Sequence, residues 1–557
     1  MDFEIIQPGP GRLIRALMDE IKIIPTINAM VSWDEKQWHL SPGELIAAII
    51  ISCFCRRQAL YRLAEFYQHQ DLELLFGRSD IRAEDFTDDS LGRALDRVAD
   101  ASGEKLLGTA VLHARKIHQF TDEILHADTT SVTVYGEYNF PDEEEPLIAL
   151  GFSKAHRPDL KQFMIGLMVN SEGIPVYGKP LNGNTSDKSW NNELFQEFRD
   201  SLKNYMNSII VADSQAITAE NLKLLKGMKF ISRFPETFNF CAELKRRAWQ
   251  ENHWTEAGQL ALAKKSATYQ VQEFSDQIDD ETYRFVVVHS SSLDKAKEKS
   301  VQREIRHELE TLEKGVSRLT KIQFACEPDA RQEWERFVKT TNLKYHNLEM
   351  NLVREEIQKK RTRRGRPRTD DESAGIKTVY RIVAEPPVLD QEAVKTTYDL
   401  ARTFVLISSV PADLADEITI LKHYKGQSRI ENRFKFLKDP YYVGAVFLKK
   451  PERIQAFNYV MLLALLLYSL LERRVRQGLA RENEPLPIAG SYKTFRPSGK
   501  TILEFLDYLT IGIFHGPNGS RREIPANIRN SLSRLVRLAG FEIDIYTTPP
   551  DFTFNDG

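Results

Sequence analysis

The chain has 557 residues, more than one hydrophobic core usually supports, so two to four domains are expected. At 42% hydrophobic and 28% charged residues it has the composition of an ordinary globular protein, with ample material for a core. The formal charge of -3 says nothing against a polyanionic partner, because a neutral total hides local basic clusters. Four scattered cysteines, Cys53, Cys55, Cys241 and Cys326, argue against a disulfide scaffold and fit a reducing compartment. Cys53-x-Cys55 has no second pair to complete a zinc site and reads as helix packing.

The N-terminus, MDFEIIQPGPGRLIR, lacks the basic start and apolar run of a signal peptide. The longest apolar run, Phe457–Leu471, is shorter than the roughly 20 residues of a bilayer span. A buried core helix, a cytoplasmic setting and no membrane partner are expected.

Along the chain, residues 1–115 read as a helical module. Ser41-Pro-Gly-Glu44 opens the run LIAAIIISCFCRRQALYRLAEFY as an N-cap with proline in the first turn, and Asp88–Asp96 begins another helix. Residues 116–235 change texture. Glu123–Tyr138 alternates like a strand, Phe163–Val169 and Ile174–Lys179 form two more around the turn Asn170–Gly173, and Ser208–Ala212 stops at Asp213. A helix over Ala219–Leu225 and a strand over Lys229–Arg233 follow. This pattern predicts an α/β fold with a mixed sheet flanked by helices.

Residues 236–400 read as an α+β insertion. Tyr269–Phe274, Tyr283–His289, Thr378–Ala384 and Thr403–Ser409 alternate like strands. Ile305, Leu309, Leu312, Val316 and Leu319 make the seam of a short coiled coil or a helical hairpin. Residues 401–557 resume the α/β domain and end in helices.

Three acids stand out. Asp128 lies in an apolar strand-like run, where an unpaired carboxylate is costly to bury. Asp213 ends the SIIVA run, at the kind of strand end where α/β sheets collect functional groups; a turn or capping role explains it equally. Glu431 lies in HYKGQSRIENRFKFLKDP, read as one helix stopped by Asp439-Pro440. On that helix Tyr424, Glu431 and Lys438 share a face, flanked by Gln427, Ser428 and Lys435, with Lys425, Arg429 and Arg433 alongside. A solvated salt-bridge face accounts for the helix taken alone. Together with the two strand acids it makes an oxygen-ligand set suited to two Mg²⁺ or Mn²⁺ ions, with bases placed to grip phosphates.

This helix resembles the C-terminal signature of bacterial insertion-sequence DDE transposases, Y-x2-R-x3-E-x6-K, here Tyr424-x2-Gln427-x3-Glu431-x6-Lys438. HADTTS (126–131), GFSKAHRPDLKQ (151–162), GNTSD (183–187) and VADSQAITAENL (211–222) are similar to other blocks of that family. The resemblance implies an RNase H-like core with an insertion between the second and third acids. It implies Asp128, Asp213 and Glu431 as catalytic metal ligands, and Tyr424 and Lys438 as contacts to DNA phosphates. Gln427 departs from the family's arginine, losing a charge and a bidentate fork, so that either phosphate binding is weaker or Arg429 substitutes. The implied activity is metal-dependent cleavage of double-stranded DNA at terminal inverted repeats, then strand transfer into target DNA, by a homodimer or larger synaptic assembly. A nuclease that cuts without joining and a catalytically decayed DNA-binding protein are the alternatives.

Other bases remain. Lys359–Arg368 is the strongest basic cluster, and its centre, with Arg364 and Arg366, resembles an AT-hook for A·T minor grooves; a solvated basic loop reads the same way. Lys449, Lys450 and Arg453 are candidates for DNA or for surface packing. His126 reads as a core histidine or a metal ligand, and Lys154, His156 and Arg157 as a phosphate contact or a surface loop.

Overall fold

A computed structural model gives the structure of the protein. It describes residues 2–55, 58–134, 138, 147–152, 157–200, 207–260, 266–292, 295–358, 376–439, 448–488, 492–516 and 519–550. The chain divides into two compact units, Met1–Arg233 with Ser408–Gly557, and Phe234–Ile407.

In the first unit, helix α1 (Pro42–Phe54) starts as its sequence predicts. The Ser41 hydroxyl accepts from Glu44 N at 3.2 Å, and the Glu44 carboxylate accepts from Ser41 N at 2.8 Å, a reciprocal capping box with proline in the first turn. The apolar run does not stay helical to Tyr67. It breaks at Cys55 (φ −114°, ψ 52°) and resumes as a short helix, Leu63–Tyr67. The break lets Tyr67 donate to Ala48 O at 2.7 Å and pack its ring against Phe86 at 4.3 Å. Helix α2 (Gly103–His118) is capped by the Ser102 hydroxyl.

Five strands follow: β1 (Ile124–Thr133), β2 (Gln162–Asn170), β3 (Pro175–Leu181), β4 (Ile209–Ala212) and β5 (Lys229–Arg233). Their order is β3-β2-β1-β4-β5. The β1–β2 and β2–β3 pairs are antiparallel, whereas β1–β4 and β4–β5 are parallel. Every residue of β2 and β3 is buried, as strands covered on both faces require. Gly166 in β2 lies under the ring of Trp190, from the helix Asp187–Asp200, where any Cβ would collide with the indole. Helices α3 (Glu417–Lys425), α4 (Ser428–Lys438) and α5 (Pro451–Glu482) complete the part of this unit that carries the site. Helix α5 packs against α1, α2 and β3. At 32 residues it is long and apolar enough to cross a bilayer by length and composition, so the short apolar run is no argument against a span. Its burial is the better one: 94% of its most apolar window lies inside the protein, where protein atoms cover the apolar surface.

In the second unit, Thr255–Gln259, Thr268–Ile278 and Glu281–Ser290 form an antiparallel run beside Thr403–Ser408. Helices Lys295–Leu319 and Glu327–Thr341 and the hairpin Met350–Gln358/Ile376–Ala384 share a core of Leu312, Leu319, Ala330, Trp334, Phe337 and Ile382. Of the predicted seam, Leu312 and Leu319 are fully buried and Val316 packs on the cluster. The apolar stripe is therefore satisfied within the chain, as a helical hairpin.

The mixed α/β architecture, a large sheet with many helices, is consistent with the RNase H-like core that the family resemblance implies.

Candidate active site

Strand pairing brings the first two acids together. β1 runs parallel to β4 with His126 opposite Val211. Two residues further along the same register, Asp128 faces the position of Asp213, just beyond the end of β4. Both side chains are half-buried just past the last parallel pair, Asp213 beyond the end of β4 and Asp128 within β1, which runs on to Thr133 beside β2. Asp128 Oδ1 accepts from Thr129 N at 2.7 Å. Asp213 Oδ1 accepts from Gln215 N at 3.0 Å, so this residue does cap the turn that follows it.

Glu431 reaches the same place from α4, which packs on β1 and β2. Asp128, Glu431, Lys435 and Lys438 line one cavity of about 610 Å³. Glu431 and Lys438, seven residues apart on α4, do share a face. Tyr424 does not belong to that helix. The predicted single helix is two, α3 and α4, divided at Gly426 and Gln427, where Gln427 N bonds Tyr424 O at 3.1 Å and Ile430 N bonds Gln427 O at 3.1 Å. These tighter i to i−3 bonds replace the α-helical ones.

The reason for the break lies underneath it. The His126 ring, fully buried, packs against Gly426, where a Cβ would come within 2.9 Å of ring atoms Cε1 and Nε2. Neither ring nitrogen has a hydrogen-bond partner among the described residues, so His126 is a core histidine but not a satisfied one. Burial, with the charge of Arg429 and the ring of His423 adding, pushes its pKa down to about 3 and keeps the imidazole neutral.

Tyr424 joins the acids from α3. Burial raises its phenol pKa, the Asp213 and Glu431 carboxylates add to that, and Arg233 opposes it through its charge and a hydrogen bond. Arg233, at the end of β5, is a member of the constellation that the sequence did not disclose. Its one signal is position, a base ending the strand next to the one that ends at Asp213.

Gln427 stands half-buried just before α4, where its side chain makes no capping bond. Arg429 is exposed and turns to a second cavity, lined also by Arg476 and Arg496. Arg364 and Arg366 lie outside the described residues, as do Lys154 and His156. Arg157 is held in a two-pronged pair by Asp159 at 2.8 and 2.6 Å. Arg453 pairs likewise with Asp96 at 2.6 and 2.7 Å, which gives it a packing role between helices.

Among the described residues no three of His, Cys, Asp and Glu gather within reach of one metal ion. The donor chemistry still fits Mg²⁺ or Mn²⁺. These ions take oxygen ligands, keep several waters, and bind through one or two carboxylates plus substrate phosphates rather than in closed protein cages. Acids arranged around an open cavity match that mode.

A mixed α/β sheet with acids on adjacent strands, where their parallel pairing ends, and a basic helix laid beside them defines a class, the α/β proteins that carry their function at the carboxyl edge of the sheet. The family described as Transposase DDE domain matches residues 120–467, and the chain belongs to that family. Residues 11–112 match a second family, described as Domain of unknown function (DUF4277). A comparison with curated proteins gives no match. Membership in the DDE family makes the chain an enzyme of the transposase or nuclease type, with a transposition-related function and DNA as its substrate.

Proposed function

We propose that this protein cuts DNA at the ends of a mobile element and joins the freed ends to target DNA, with Asp128, Asp213 and Glu431 as the acids of the reaction. The observation that carries this reading is the shared cavity of Asp128 and Glu431, beside the strand end that bears Asp213. The three carboxylates would hold two Mg²⁺ or Mn²⁺ ions, which when bound activate an attacking oxygen and stabilise the leaving one.

The chain's own residues account for the rest. Lys435 and Lys438, on the cavity wall, neutralise the phosphodiester that enters it. Tyr424, fixed by Arg233, orients the backbone at the mouth, with Gln427 and Arg429 gripping adjacent phosphates. Water attacks the phosphorus, the bond to the 3′ oxygen breaks, and a free 3′-OH and a 5′-phosphate result. That 3′ oxygen then attacks a target phosphodiester and displaces another 3′ oxygen, so bonds are exchanged one for one and no energy source is required. A homodimer or larger assembly would bring two ends together in the cytoplasm. Arg364 and Arg366 would enter A·T minor grooves.

The test is strand transfer. A labelled duplex ending in the element's terminal repeat with a free 3′-OH is incubated with supercoiled plasmid, Mg²⁺ and the protein. Labelled end joined to plasmid supports the proposal. Cutting without joining would make the protein a nuclease on the same fold.

A further inference from the structure

On the other side of α4 from Glu431 is a cavity of about 750 Å³ whose wall carries seven basic residues, Arg429, Arg433, Lys435, Arg473, Arg476, Arg496 and Lys500, against three acids, Glu172, Asp439 and Glu472. The acids are used up. Glu472, buried, takes Arg433 at 2.9 Å and Arg476 at 2.6 Å, Glu172 takes Arg473 at 2.8 Å, and Asp439 takes Lys500 at 3.5 Å. Among the described residues Lys435 bonds the Asn432 amide oxygen alone, at 2.8 Å. Arg429 and Arg496, both exposed, have no side-chain hydrogen bond or ion pair among the described residues. Arg429, Arg476 and Arg496 line the same cavity wall. Like charges gathered on one cavity wall favour an anion between them.

The cleft adjoins the acid cavity, since Lys435 and Asp439 line both. We propose that this arginine cleft is a second phosphate-binding channel, in which Arg429, Arg476 and Arg496 hold the backbone of the DNA strand that enters the acid cavity. The inference rests on the transposase reading and adds to it where the strand runs after leaving the acids, across Lys435 and along the back of α4. Arginine suits the role, since its fork matches phosphate oxygens and its charge is never lost. Arg433 is held between Glu472 and Gly173 O at 2.6 Å, so it forms the wall of the cleft rather than a free phosphate contact.

The test measures binding of the full chain to a fluorescein-labelled 40-base-pair duplex of arbitrary sequence by anisotropy, over a series of salt concentrations. Each phosphate contact contributes about 0.9 to the slope of log K against log salt. Arg429→Ala/Arg496→Ala is expected to lower that slope by about 2 and weaken binding about tenfold at low salt. Arg331→Ala/Arg336→Ala, exposed arginines of the other unit, is expected to leave both unchanged. Should the double variant fail to fold, Arg429→Gln and Arg496→Gln singly are expected to lower the slope by about 1 each. Wild-type slope and affinity in the folded variants would overturn the channel and leave the transposase reading standing. Failure of the wild type to bind the duplex at any salt would overturn both.

Discussion

His126 and Gly426 touch across the joint between α3 and α4: a fully buried imidazole fills the space where any other residue would carry a Cβ. The contact lies at the joint from which α4 departs toward Glu431, five residues on. Gly426→Ala is expected to cost about 1–3 kcal/mol of stability, as overpacking of a closed core does. It is also expected to slow DNA cleavage more than that loss explains, since a 1 Å misplacement of a reacting group can cost about 100-fold. Urea unfolding and end cleavage at a temperature where the variant is folded check both. Unchanged cleavage would show that the joint does not position Glu431.

Tyr424 and Arg233 make a separable prediction. Tyr424→Phe removes the oxygen that accepts from Arg233 but keeps the ring's packing. Cleavage is expected to fall by about tenfold, the effect of losing one charge-assisted hydrogen bond, with little change in melting temperature. Full activity would remove Tyr424 from the site.

Glu472 holds the middle of α4 to α5. Its side chain is 6% exposed and receives Arg433, Arg476 and the Gly499 amide at 3.0 Å. Glu472→Gln leaves the buried Arg433 charge uncompensated and is expected to destabilise by about 3–5 kcal/mol. Chemical denaturation measures this directly; a loss under 1 kcal/mol would mean that solvent reaches Arg433.

His118, ending α2, gives a pH dependence with a definite sign. Burial, then the charges of Arg474 and Arg473, push its pKa from the usual 6.5 to about 4, and its Nε2 is buried without a hydrogen bond. The unfolded chain takes up the proton first, so the contribution of this group to stability is full above pH 6.5 and is lost progressively as pH falls toward 4. Between pH 7 and 5 the wild type is expected to lose about 2 kcal/mol more than His118→Gln. Parallel pH profiles for the two proteins would contradict that assignment.

Local signals in the sequence carried the elements far. Ala219–Leu225 and Lys229–Arg233 begin and end where their apolar spacing predicts, because the Thr218 cap and a short apolar run act within a few residues. The acids were visible for the same reason: each is an isolated carboxylate in a distinctive local setting. The break at Gly426 was not, since it depends on a histidine some 300 positions earlier in the chain. Arg233 and the arginine cleft were hidden likewise, because β4–β5 pairing and the packing of α4 on α5 assemble them from residues far apart in sequence. Periodicity gave α4 its polar face; only tertiary structure shows that this helix divides two cavities.

The central claim is that Asp128, Asp213 and Glu431 act as one metal-dependent set. Its most direct test is cleavage of labelled DNA carrying the element's own flanked ends, with Mg²⁺ or Mn²⁺, by wild type and by Asp128→Asn, Asp213→Asn and Glu431→Gln. The account predicts nicking at the ends by wild type alone, abolished by chelation, with all three variants folded and still binding DNA. Cleavage by any one of the variants at the wild-type rate would contradict it.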